Sequence, residues 1–334
     1  MLKTIVLTVL LSAPAGVVAQ QTVSTPKNFV YFERDRQRIS EASFLDNNNI
    51  VGAQLKYTWR ELEPARDRYE LKPLLDDLAF LEKHGKRLFI QLQDASFSES
   101  ILVPAYLLTD TSFHGGVARE YEGDGANPKF VGIASRRWDP AVRARFSKLL
   151  EVLGKELDGR IEGINLPETA VGFSETGRSH APGFTNAGYL EGVKEIMSAA
   201  RKAFPRSTVI QYANFMPGEW LPGEDHGYLR AVYAHAASIG MGVGGPDLLP
   251  HRRGQQNHSL PLIAGRSPAL RAGVAVQDGN LEEKNPVTAQ PVTVAELYDF
   301  ATTKLRLDYI FWGTQEPFYT TNILPFLNGL PRRQ

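Results

Sequence analysis

Eight short apolar runs recur along the chain, and segments with helical spacing lie between most of them. The runs cover 28–33, 50–59, 87–94, 161–165, 208–214, 241–247, 273–278 and 308–312. The helical segments cover 39–45, 71–84, 140–157, 186–204, 225–239, 293–305 and 322–327. Such alternation predicts parallel strands joined by helical crossovers. Eight units of this kind close a barrel. The expected fold class is therefore α/β: a single (β/α)8 TIM barrel over 28–334, with a long loop at 95–138 after the third strand. Local signals agree with it. Leu74, Leu75, Leu78 and Leu81 share a helical face before Gly85, and Asp139 caps a helix that opens on Pro140. A doubly wound sheet is the competing architecture. It would need a glycine-rich phosphate loop after a strand, and Gly242-Val243-Gly244-Gly245 lacks the remaining spacing and the helix start.

The first nineteen residues hold one Lys, an apolar run over 4–11 and Val17-Val18-Ala19. This pattern predicts a signal peptide cut after Ala19, then a polar leader over 20–27, and so a secreted or periplasmic protein. The apolar run is too short to span a bilayer, and no membrane span is expected. The chain has no Cys, which leaves stability to the core of a chain 334 residues long. The formal charge is zero and no basic tract occurs, which argues against nucleic acid as a partner. The sequence does not define an oligomeric state.

In a parallel barrel the strand C-termini share one face, and that face carries the active site. Gln93 and Asp94 end the third run, Asn165 and Glu168 the fourth, and Tyr212 and Asn214 the fifth. Asp247 ends the sixth, Gln277 and Asp278 the seventh, and Trp312 the eighth. Pro167 removes a backbone donor just before Glu168, so regular pairing should stop there. A ring of amides, carboxylates and aromatics without Lys or Arg suits sugar hydroxyls better than phosphate, which wants cations. The scattered His residues have no metal-ligand spacing, and no Gly-x-Ser-x-Gly elbow occurs. Neither a metal nor any other cofactor is expected. Glu63, before Pro64, is expected to accept backbone donors in a turn.

The stretch Tyr57-Thr58-Trp59-Arg60-Glu61-Leu62-Glu63-Pro64, then Arg68-Tyr69-Glu70, a helix and Gly85-Lys86, resembles the second-strand region of clan A retaining glycoside hydrolases. That group of (β/α)8 enzymes includes β-galactosidases and cellulases. Trp312 resembles the Trp that ends their eighth strand under the sugar. The resemblance implies a glycosidase acting on a poly- or oligosaccharide, with the acid/base after strand four and the nucleophile after strand seven. On this chain those positions are Glu168 and Asp278. Gln93, Asp94, Asn165, Tyr212, Asn214, Asp247 and Trp312 would bind the carbohydrate.

Two departures are plain in the residues. Leu166 and Pro167 separate Asn165 from Glu168, where the clan has Asn and Glu adjacent. Strand seven ends in Gln277-Asp278 rather than Glu, and an Asp must sit nearer the sugar to attack. Asp247, Glu282 and Glu283 are the other candidates for the second carboxylate. The alternative function is a barrel that binds glycan without cleaving it, within polysaccharide handling.

Overall fold

A computed structural model describes residues 25–33, 35–122, 127–177 and 179–331. The expected signal peptide, and most of the leader after it, lie outside the described residues. Among those residues no helix is long and apolar enough to cross a membrane.

Eight parallel strands close a barrel. They are β1 (Lys27–Tyr31), β2 (Ile50–Thr58), β3 (Arg87–Gln93), β7 (Gly163–Leu166), β8 (Thr208–Tyr212), β9 (Gly242–Gly245), β10 (Ala272–Val276) and β11 (Tyr309–Gly313). Neighbours in the ring follow chain order, and β11 closes onto β1 with Phe29 opposite Phe311. Long crossover helices include Lys72–Lys83, Pro140–Leu157 and Asn186–Ala203. The Asp139 carboxylate accepts from the amides of Ala141 and Val142, which fixes the start of the second.

The 95–138 segment was expected to be loop. It instead carries an antiparallel sheet ordered β4-β6-β5, formed by β4 (Ala95–Ser96), β5 (Val117–Glu122) and β6 (Lys129–Ser135). Its β5 edge is tied to the loop after β7: the Tyr121 amide donates to the Gly172 carbonyl, and the Gly172 amide donates to Glu120 Oε2 at 2.7 Å.

Strand side chains alternate between two cores. Val30, Leu55, Ile90, Ile164, Val274 and Ile310 point outward and pack under the helices. Phe29, Phe89, Ile210, Ala275, Tyr309 and Phe311 point inward and fill the barrel. The rings meet at close quarters, with Phe89 and Phe311 centroids 4.8 Å apart at 69°. Glycines make room for them. A Cβ on Gly163 would stand 2.7 Å from the Phe89 ring, and one on Gly273 would stand 2.9 Å from both Phe311 and Ile210.

Candidate active site

Above the aromatic layer the interior turns polar. Gln54 Nε2 donates to Asn165 Oδ1 at 2.8 Å and to the Tyr212 hydroxyl at 3.1 Å. Over this layer, at the strand C-termini, opens a cleft of about 660 Å³. Gln93, Glu168, Tyr212 and Asp278 line it together, as their strand-end positions require. One side of the mouth is built by the insertion, through Ser96, Phe97, Ser98, Ser100 and Leu102. Phe97 is 84% exposed, an aromatic face left open at the rim.

Glu168 is held in the cleft by several neighbours. Its backbone is pinned from three sides. Gln211 Nε2 donates to the Pro167 carbonyl at 2.7 Å, Arg137 Nη1 donates to the Glu168 carbonyl at 2.7 Å, and the Thr169 amide donates to the Tyr212 carbonyl at 3.0 Å. Its carboxylate accepts from Asn214 Nδ2 at 2.5 Å. Burial pushes its pKa up to about 7, the Asn214 hydrogen bond opposes the shift, and the negative charge of Asp247 adds to it. A carboxyl poised near neutrality can hold a proton and release it. Asp247 is itself raised by burial, and its Oδ1 accepts from Asn280 Nδ2 at 2.9 Å. At that strand end Pro246, not Asp247, lines the cleft.

Several expected ligand-binding residues stand elsewhere. Trp312 does not lie under the cleft. On β11 the inward positions are Tyr309, Phe311 and Gly313, so Trp312 points outward, fully buried, and its Nε1 donates to Asn28 Oδ1 at 3.0 Å. Asp94 does not face the cleft either. It is a buried counter-ion that accepts from Arg137 Nη2 at 2.6 Å and Nε at 3.0 Å. Asn165 is fully buried one layer down, with its Oδ1 taken by Gln54. Asn214 reaches the site through Glu168 and is not part of the cleft lining. Glu63 behaves as expected of a structural carboxylate: it is fully buried and accepts from Trp59 Nε1, the Asp67 amide and Tyr106.

The structure adds residues that the sequence reading passed over. Glu33 and Asp35 follow β1, Thr314 and Glu316 follow β11, and all four line the cleft. Lys56, inward on β2, also lines it and donates to Glu33 Oε1 at 3.0 Å. On β10 the inward series Gly273, Ala275 continues to Gln277, which places an amide in the cleft with Asp278 beside it. Among the described residues no group of three or more His, Cys, Asp or Glu is arranged to hold a metal ion.

No family model matches the sequence, and no curated protein matches it. Solved structures similar to it include GH5_18 from Streptomyces cattleya in complex with Manb1-4GlcNAc, at 13% identity and a TM-score of 0.53, covering 86% of this chain and 70% of that one. Another is xylanase 10B from Thermotoga petrophila RKU-1 in complex with xylobiose, at 13% identity and a TM-score of 0.48, covering 86% of this chain and 81% of that one. A GlcNAc complex of the Streptomyces cattleya protein matches at 14% identity and a TM-score of 0.44 over 67% of this chain, which spans about half (52%) of that one. What the first comparison shares with this chain is the barrel fold.

Proposed function

We propose that the protein is a glycoside hydrolase whose cleft binds a poly- or oligosaccharide and whose proton donor is Glu168. One observation carries the reading. A half-buried carboxyl, its pKa raised to about 7 by desolvation, lines the cleft just past the C-terminal end of a barrel strand. The likeness in fold to glycoside hydrolases supports it. In the reaction Glu168 gives its proton to the glycosidic oxygen as the bond to the anomeric carbon breaks. Asp278 is the second carboxylate. It either attacks the anomeric carbon or takes a proton from the water that does, and the product anomer tells the two routes apart. Exposed Phe97 offers a ring for a sugar face at the cleft mouth.

The test begins with a glycan screen, followed by two isosteric variants. Glu168→Gln should lose roughly 10²–10⁴ in rate on a natural glycan. It should lose much less on an aryl glycoside, whose leaving group needs little protonation. Asp278→Asn should abolish both reactions if the carboxylate attacks. Unchanged turnover in Glu168→Gln would remove that residue from the role. Full activity in Asp278→Asn would move the second role to Glu33, Asp35 or Glu316, the other carboxylates that line the cleft.

A second reading rests on Gln277. The inward position that ends β10 is an amide, which cannot attack, and this favours a barrel that binds glycan without cleaving it. Binding without turnover across the screen would select this reading.

A further inference from the structure

The cleft walls differ in charge. Asp278 follows β10, Glu316 follows β11, and Glu33 and Asp35 follow β1. These three strands are adjacent in the barrel, so the four carboxylates share one wall. The facing wall, from β3 and the insertion, presents Gln91, Gln93 and serine hydroxyls. Lys56, paired with Glu33, is the one Lys or Arg among the described lining residues. Arg38 reaches Glu316 from outside the lining at 2.8 Å, which leaves Asp35 and Asp278 as the wall carboxylates without an ion pair among the described residues. The chain as a whole has zero formal charge, so the acidity is local to this wall.

A second observation is independent of the carboxylates. Gln91 lines the cleft and is only 3% exposed, yet its Oε1 has no hydrogen-bond partner among the described residues. A buried acceptor without a donor is costly, and a donor from a ligand would satisfy it. Asp278, by contrast, is exposed in the cleft and has no ion pair among the described residues, so its charge is open to a ligand. One unfilled buried acceptor and the open charges of Asp35 and Asp278 together call for a ligand that donates hydrogen bonds and is positive in charge.

We infer that the cleft selects a glycan bearing free amino groups, with ammonium substituents facing the β10–β11–β1 wall and ring hydroxyls facing the amide and serine wall. The inference deepens the proposed function and rests on its premise that the cleft holds carbohydrate. A neutral or N-acetylated chain would satisfy Gln91 and the serines but leave Asp35 and Asp278 without a counter-charge. An anionic chain would be repelled by it.

Calorimetric binding of three hexasaccharides tests this: β1,4-linked glucosamine, its fully N-acetylated counterpart and cellohexaose. The buffer is mildly acidic, so that the amines are protonated. Exposed charge pairs are individually weak, so several acting together should give about a tenfold tighter Kd for the amine-bearing chain. The preference should fade between ~0.01 M and ~1 M salt, as the Debye length falls from ~30 Å to ~3 Å. Asp35→Asn, which is isosteric, should cut the preference several-fold and leave cellohexaose binding in place. Equal affinity for all three sugars, or a preference for the acetylated one, would overturn the charge inference and leave the carbohydrate cleft standing. If no sugar binds to folded protein, the inference falls as well, and turnover in the glycan screen then decides the hydrolase reading separately.

Discussion

The two ends of the barrel interior are made from the same strands and do opposite things. At the N-terminal end Phe29, Phe89, Tyr309 and Phe311 close the bore with ring on ring. Beneath them Glu162 accepts from Lys27 Nζ at 2.5 Å and from the Tyr309 hydroxyl at 2.9 Å, which finishes the seal with satisfied charge. At the C-terminal end the same inward positions carry Glu33, Lys56, Gln93 and Gln277, and a cleft stays open. Two residues along a strand separate a plug from a site: Phe89 gives way to Gln91, and Phe311 to Gly313. The closed end gains stability by excluding water. The open end holds an acid in a form that water would not favour.

Four experiments bear on that contrast. Phe311→Ala empties the closed end and should cost about 3–5 kcal/mol of stability, read from urea unfolding. Ligand affinity at the cleft should hold in whatever fraction stays folded. A loss under 1 kcal/mol would mean the plug is not what holds the barrel.

The next effect belongs to the open end and depends on pH. The Glu168 pKa is raised in the folded state from the ordinary 4.5 of a free Glu to about 7. Between those values the unfolded chain gives up a proton that the folded chain keeps. Its contribution to stability is therefore complete below pH 4.5 and is lost as pH rises through about 7. The loss should be on the order of 3 kcal/mol, and Glu168→Gln should flatten that part of the curve. Asp247, also raised, adds a slope of the same sign. A variant that unfolds with the wild-type pH dependence would show that Glu168 titrates normally.

Trp312→Phe should cost about 1–2 kcal/mol, since it leaves Asn28 Oδ1 without its donor in the outer core. It should leave ligand affinity untouched, and a change in affinity would return Trp312 to the cleft. The smallest effect is expected from Asn214→Ala. The Asn214 amide favours the charged form of Glu168, so its loss should move the alkaline limb of the pH–rate profile upward. A downward move would reverse the assigned role of that hydrogen bond.

The sequence exposes the barrel because buried parallel strands are near-continuous apolar runs and the crossover helices carry their own stops. It exposes Glu168 because Pro167 marks where the strand ends. Trp312 shows what a strand end alone does not settle. The last residue of a strand faces either core, and only parity against Tyr309 and Phe311 decides which. Counting from Phe29 and Tyr31 would have placed Glu33 in the cleft, and counting from Gln54 would have done the same for Lys56. Asp94 was misplaced for a different reason. Its partner, Arg137, lies beyond a 43-residue separation that no local pattern records.

The tie between β5 and Gly172 bears on how such a protein can change over time. An excursion between two barrel strands is ordinarily an exchangeable part, swapped or shortened without disturbing its neighbours. Here the excursion after β3 also grips the loop that carries Glu168 after the next barrel strand, through both hydrogen-bonding groups of one glycine. The two segments therefore inherit as a unit. A foreign insertion grafted in this place would have to bring its own grip on Gly172 and its own counterpart of Arg137, which donates to the Glu168 carbonyl.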